Sequence, residues 1–353
     1  MPGKVGPDEL LAHVFDRTGT AAADETVVQG AAYGEDAAAI DWPGADTLVV
    51  SSDPISLAAA DVGTLGVAIA CNDVAASGAD PRWLTVVALL PDEDAPLEAI
   101  TSDLHAAARD VGAAIVGGHT EYVDQLDRPL LSLTAMGATD AFLPTGGAEP
   151  GDRVVLTKAA GVEGTAILAA DFGDDLGVDP EIRERAQAFL EELSVVPDAR
   201  IVREYATAMH DPTEGGVAAG LLELARASAV RIEVERDAVP VRDETAALCD
   251  AAGVDPLRIF GSGALLATVP QADVSDVLDA LSDAEIDAAD IGRVEPAGVD
   301  DEGDGSGESE ESGAADEDEA RESAAGLVLG RELLTDAIED DLYPLWEAAD
   351  AAD

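Results

Sequence analysis

Apolar residues recur along this chain with two periods, one of two residues and one near 3.6, and the places where one gives way to the other mark out the elements. From Thr47 to Ser52 the run TLVVSS predicts a buried strand that stops at Asp53-Pro54, because proline has no N–H to give to a ladder. DVGTLGVAIACNDVAASGA has helical spacing, with Gly78 as its C-terminal stop. WLTVVALLP then predicts a strand, PLEAITSDLHAAARDVG a helix, AAIVGG a strand that ends in a glycine turn, and PLLSLTAMGA a further strand. The residues up to Phe15 predict a short amphipathic helix.

Pro144, Gly146, Gly147, Pro150 and Gly151 cluster in LPTGGAEPGD and predict a boundary, giving domains over 1–148 and 149–353. The second half opens on the strand RVVLTK and continues through several helices, the strands VRIEVE and GALLATV, and a last strand in GLVLG. Strands and helices alternate, but long polar connections between them do not require one continuous parallel sheet, so the fold class read here is α+β. Residues 300–323, DEGDGSGESEESGAADEDEARES with its leading Asp, hold no large apolar side chain and predict a solvated acidic loop inserted between two strands of one domain.

Composition changes this picture mainly at the surface. The 353 residues are 47% hydrophobic, enough to fill two cores, yet the formal net charge is -55. Since the apolar periodicity persists, the acid belongs on the outside, as expected of a protein adapted to a salt-rich, halophilic cytoplasm where screening makes self-repulsion tolerable. Lysine occurs only at Lys4 and Lys158. Such a surface excludes nucleic acid, whose phosphates need basic patches, so any polyphosphate ligand must be met by metal ions and backbone amides. Cys71 and Cys249 lie in apolar patterns and read as buried thiols. No window reaches membrane-spanning length and no apolar leader precedes a cleavage site, so a soluble, cytoplasmic protein is expected.

Candidate chemistry gathers where the elements break. Asp36 in GEDAA, Asp53 in SSDP and Asp73 in NDV are carboxylates of the kind that hold Mg²⁺ against a triphosphate, although each taken alone also suits a turn or a cap. In GGHTE, Gly117 and Gly118 permit close approach of a ligand to the backbone, and His119 with Glu121 could be a metal ligand, a general base or a hydrogen-bonding pair. His13 and His105 fall in helix patterns and read as surface residues. In HDPTEGGVAAGLLELA, Asp211 suits an N-cap, Pro212 a first turn, and Gly215-Gly216 leave backbone amides uncovered at a helix N-terminus, which is equally a capped helix or an anion site. TKAAGVEG, with Lys158, is similar in kind.

Taken in order, GEDAAAID, SSDP, NDVAASGADPRW, GGHTE, DPTEGG and GSGALLATV resemble the AIR synthase-like superfamily over nearly the whole chain apart from the acidic insertion. MHDPTEGGVAAGLLELA and VPVRDET are most similar to its hydrogenase expression/formation (maturation) branch. The resemblance implies an N-terminal domain that pairs in a homodimer to form a shared β-barrel, with a C-terminal α+β domain beside it. It also implies ATP and Mg²⁺ in a cleft near the dimer interface, and activation of an oxygen by phosphoryl transfer. Asp36, Asp53 and Asp73 become metal and phosphate ligands, Gly117, Gly118, Gly215 and Gly216 part of the nucleotide site, and Asp211 and His119 candidates for direct roles. The maturation branch usually has an Asp in place of His119 and an Arg in place of Glu214. It also carries a cysteine near its C-terminus that receives a carbamoyl group, whereas the last residues here are PLWEAADAAD. Three functions are therefore weighed: an ATP-dependent enzyme acting on a small substrate or carried group, a nucleotide-binding protein that works by docking to a partner, and an aminoimidazole ribonucleotide synthetase-type cyclo-ligase.

Overall fold

The structure is a computed structural model that describes residues 25–29, 35, 37–42, 46–55, 61–297 and 325–350. The expected first helix, Asp36 and the acidic stretch 300–323 lie outside the described residues.

The first sheet has six strands: β1 (Val27–Gln29), β2 (Ala38–Trp42), β3 (Asp46–Ile55), β4 (Asp80–Leu90), β5 (Ala114–Tyr122) and β6 (Leu130–Thr139), in the order β1-β2-β3-β6-β4-β5. All pairs are antiparallel except β4 with β5. Among the described residues it is an open sheet with edges at β1 and β5, and no closed barrel is formed within one chain. The alternation in β6 is regular: Leu131, Leu133, Ala135 and Gly137 are buried, while Ser132, Thr134, Met136 and Ala138 are half-buried on the other face. Helix α1 (Val62–Ala76) covers the buried face and α2 (Leu97–Val111) packs beside it. Two elements run further than the sequence suggests. β3 continues through Pro54 to Ile55, because its pairing with β2 ends at Val50 and the proline can turn its missing N–H to that vacated side. The strand expected to end at Gly117-Gly118 continues as β5 to Tyr122, paired in parallel with β4 throughout.

The second sheet has seven strands in the order β13-β12-β9-β11-β7-β10-β8: β7 (Asp152–Thr157), β8 (Ala208–His210), β9 (Val230–Val234), β10 (Leu266–Pro270), β11 (Ala288–Pro296), β12 (Gly326–Leu329) and β13 (Glu332–Leu334). Helices α3 (Val162–Ile167), α4 (Pro180–Gln187), α5 (Val196–Val202), α6 (Gly216–Ala227), α7 (Asp243–Ala252), α8 (Val274–Asp283) and α9 (Tyr343–Asp350) surround it. The strands on either side of the acidic stretch, β11 and β12, belong to this one sheet, with β9 between them.

α1 explains how the halves are joined. It is buried nearly all round, so it has no solvent face of the usual amphipathic kind. One side packs on the first sheet. The other meets Val195, Val196, Ala199, Val202 and Met209 of the second domain in a continuous core, and its start meets Val162, Ala166, Phe189 and Leu193. At its end Asp80 accepts from Arg200 Nε at 2.7 Å and from Arg203 at 3.1 Å, and these two guanidinium groups hold its carboxyl below the usual aspartate range.

Candidate active site

Period two in β3 puts Val49, Ser51, Asp53 and Ile55 on the face that looks at α1. Asp73, in the last turn of α1, reaches the same spot. The Ser51 hydroxyl lies 3.1 Å from Asp53 Oδ2 and in closer contact with Asp73 Oδ2. Asp73 is thus on a regular helix, not at a break as its sequence context suggested. A hydroxyl has one hydrogen, so Ser51 can donate to only one of the two carboxylates at a time. Two carboxylates gathered on rigid elements fit a hard divalent cation that keeps its remaining positions for water and phosphate oxygens. Among the described residues, which do not include Asp36, no three His, Cys, Asp or Glu side chains form a group that could hold a metal ion.

His119 is not brought to this pair within one chain. The sheet order places β5 three strands from β3, about 14 Å at ordinary strand spacing. The ladder also puts Gly117, His119 and Glu121 opposite Thr85, Val87 and Leu89, on the face away from α1. His119 and Glu121 pair at 3.3 Å with both side chains more than half exposed. Gly118 has a structural cause: at φ 150 a Cβ there would lie 1.9 Å from the Val86 carbonyl oxygen. Gly117 has nothing within 4 Å of such an atom and stays open to approach.

The second domain assembles three glycine turns where β7 and β8 end and β10 begins, since Leu266 pairs with both Leu156 and His210. They are Gly161-Val-Glu-Gly164, Thr213-Glu-Gly-Gly216 and Gly261-Ser-Gly263. Their backbones are tied by Glu163 N to Ser262 O at 3.2 Å, Gly164 N to Phe260 O at 2.9 Å and Gly261 N to Thr213 O at 2.9 Å. Gly216, at φ 62, leaves only 2.4 Å between a would-be Cβ and Ile259 O, so the turn closes only with glycine. Asp211 is buried just before this turn, and β8, which leads to it, packs against α1 through Met209. His210 meets Glu223 at 2.9 Å inside the domain.

The amides of this turn are not uncovered, as the sequence suggested. Gly215 N donates to Asp340 Oδ2 at 2.8 Å and Gly216 N to Thr213 O at 3.1 Å. Asp340 also accepts from Leu342 N at 2.9 Å, so the segment before α9 is pinned over the loop, where Tyr343 and Trp346 pack on Phe260. The result is a buried acidic cluster. Burial, then the charge of Glu214, pushes Glu163 up to about 6. Burial outweighs the two backbone donors at Asp340 and pushes it up to about 7. Burial and Glu214 also raise the Tyr343 phenol. Glu163 Oε2 and Ser262 Oγ are buried with no hydrogen-bond partner among the described residues. Sequence reasoning passed over Ser51, Glu163, Ser262 and Asp340. Ser51 could have been found from its shared strand face with Asp53, and Glu163 and Ser262 from their glycine-flanked turns, but nothing local marks Asp340. The two thiols are inert: burial pushes Cys71 and Cys249 each up to about 12. A cavity of about 360 Å³ lined by Asp80, Thr139, Asp140, Arg203 and Glu204 opens at the far end of β6 from Leu133, the partner of Asp53, and its arginine is already engaged by Asp80.

The model of the AIR synthase related protein N-terminal domain matches residues 34–139 and that of the C-terminal domain matches 149–302. The chain belongs to the AIR synthase-related family. Within that family it is similar to the carbamoyl dehydratase HypE of Cupriavidus necator, 33% identical over 70% of this chain and 72% of the relative. Among solved structures, the hydrogenase maturation protein HypE in complex with ATP is 25% identical, with a TM-score of 0.59 over 84% of this chain and 88% of that one. AaThiL complexed with AMPPCP and TMP shares the AIR synthase-related fold at 19% identity, with a TM-score of 0.69 over 95% of this chain and 97% of that one. No helix among the described residues is long and apolar enough to cross a membrane.

Proposed function

We propose that this protein is an ATP-dependent enzyme of the hydrogenase maturation type, which activates a carbamoyl or related oxygen by phosphoryl transfer. The observation that carries this reading is the Ser51-bridged pair Asp53 and Asp73, set on a strand and a helix in a family whose maturation members bind ATP. Asp53 and Asp73, with Asp36 expected beside them from the sequence, are the residues that would hold Mg²⁺. When bound, that ion lowers the charge on the phosphate oxygens, a role that lysine-poor surroundings leave to metal. Ser51 fixes the two carboxylates against each other, so their positions are set before the nucleotide arrives. Asp211, buried after β8 where that strand packs on α1, would face the same cleft from the second domain, and Glu163, which burial pushes up to about 6, would hold or release a proton near neutral pH. Gly215 and Gly216 act chiefly by letting that turn close.

The active form is a homodimer joined through the first sheet. β5 is an edge strand exposed along its length, with Ile115, Val116 and Tyr122 uncovered, and the half-buried Val50, Met136 and Leu89 lie on the sheet face away from α1. Pairing there would bring Gly117, Gly118 and His119 to the junction of two chains and close the shared barrel. The strongly acidic surface makes this a salt-adapted protein whose assembly needs screening ions.

A measurement of ATP hydrolysis in high salt with Mg²⁺, on the native chain and on Asp53→Asn, decides the enzymatic reading. Hydrolysis by the native chain that is lost in the variant is the expected result. Tight nucleotide binding without turnover in either protein would favour a nucleotide-binding partner protein, and neither binding nor turnover would sink both.

A further inference from the structure

Asn72 and Lys158 make hydrogen bonds that connect the helix carrying Asp73 to the segments carrying the glycine turns. Asn72, next to Asp73 in α1, is fully buried: its Nδ2 donates to Leu193 O and its Oδ1 accepts from Val195 N, both at 2.8 Å. Between those two residues, Ser194 O accepts from Lys158 Nζ at 3.0 Å. The same ammonium donates to Gly263 O at 2.8 Å and to Asp198 Oδ2 at 3.1 Å, with the lysine and aspartate side chains only 12% and 1% exposed. An ammonium has three N–H donors, and here all three have acceptors, two on the stretch 194–198 and one at Gly263. Lys158 holds this position at a φ of 54, outside the usual range for a side-chain-bearing residue. Gly263 closes the turn whose Ser262 carbonyl receives Glu163 N and whose Gly261 amide reaches Thr213. The hydrogen bonds therefore run from Asn72, through the 193–195 turn, to Lys158 and on to all three glycine turns.

We infer that Asn72 and Lys158 are positioning residues that hold the Asp53/Asp73 carboxylates and the glycine turns in register across the two domains, for a reactant whose phosphates lie at one and whose accepting group lies at the other. This rests on the proposed ATP-dependent activity. A short link is needed because neither half alone spans such a reactant, and a small misplacement between nucleophile and phosphate lowers the rate far more than it weakens binding. Lys158 cannot take the usual role of a phosphate-binding lysine, since its donors are already committed.

The test is a double-mutant cycle on the full chain in high salt with Mg²⁺. Asn72→Ala is one arm. Lys158→Met together with Asp198→Asn is the other, which avoids leaving Asp198 as a lone buried charge. Each arm is expected to lower kcat for ATP hydrolysis about tenfold while changing KM for the nucleotide less than about twofold, and both together to lower it about tenfold in total, not a hundredfold, because they break one link. Amide hydrogen exchange is read on the same proteins without nucleotide. Each arm should speed exchange at residues 47–55 and at 210–216, although the hydrogen bonds of Asn72 go to Leu193 and Val195 and those of Lys158 to Ser194, Asp198 and Gly263, all outside both regions. Multiplicative losses in kcat, or exchange that quickens only beside the substituted residue, overturn the inference. Variants that exchange as described, beside a native chain that hydrolyses no ATP, instead overturn the enzymatic reading and, with it, the positioning role, leaving a purely structural link.

Discussion

The two halves of the candidate site solve one problem in opposite ways. In the first domain the carboxylates stand on a strand and a helix, and the backbone there is ordinary; all the chemistry lies in side chains whose directions follow from period two and period 3.6. In the second, three turns are held so close that glycine is required, and the acids among them are buried, raised in pKa and capped by the C-terminal segment. The difference teaches where to expect rigidity. A side chain on a regular element can be exchanged with little damage to the fold, whereas a turn that closes on backbone atoms cannot.

Asp53→Asn should therefore separate activity from stability most sharply: a loss of about a thousandfold in kcat, the scale of removing one group that stabilises transferring charge, with a melting temperature equal to or above that of the native chain because a like charge beside Asp73 is gone. Gly216→Ala should do the reverse. Its positive φ and the 2.4 Å approach to Ile259 O predict a loss of about 3 kcal/mol in denaturant unfolding, larger than a surface substitution could cause. A Gly216→Ala protein as stable as the native one would show that the turns are not closed as described.

Glu163→Gln sharpens the contrast through pH. A carboxyl raised from 4.5 to about 6 on folding binds its proton more tightly in the folded chain, so its contribution is present below about pH 4.5 and fades as pH rises through about 6. The variant should gain stability relative to the native chain across that window, by about 2 kcal/mol at pH 7, read from unfolding midpoints at several pH values. A difference that does not change with pH would mean the carboxyl is solvated. The smallest effect belongs to His119→Ala: an exposed pair on an edge strand should cost less than about 0.5 kcal/mol in unfolding, while sedimentation in high salt should show weakened self-association. If unfolding changes and association does not, β5 is not the junction.

Much of the fold was legible because most strands and helices obey one period each, and β4, α2, β6, β9, β10 and β12 fall where the pattern puts them. The exceptions have local causes. Pro54 stays in β3 because β2 no longer pairs there, and the chain runs on through Gly117 and Gly118 as β5 because it keeps pairing with β4, where Gly118 relieves a contact with Val86 instead of making a turn. The Asp53 and Asp73 pairing was legible as motif but not as geometry, since it needed Ser51 to bring strand and helix to one point. Lys158 attracted notice by its rarity, yet its acceptors lie 36 to 105 residues away, beyond any local pattern. Asp340 was invisible for the same reason, being 125 residues from the amide it caps.

The burial of α1 on all sides has a consequence for anyone wishing to divide this molecule. A fragment ending near residue 148 would keep every strand of the first sheet but strip Leu65, Ala68 and the neighbours of Met209 of their cover, turning a shared interior into a greasy outer wall. Asn72 would lose both partners at once. Such a fragment should clump even in strong salt, where screening suppresses charge repulsion and favours apolar contact. The unit that can be expressed, crystallised or grafted is the pair of domains together, and the seam between them is interior, not linker.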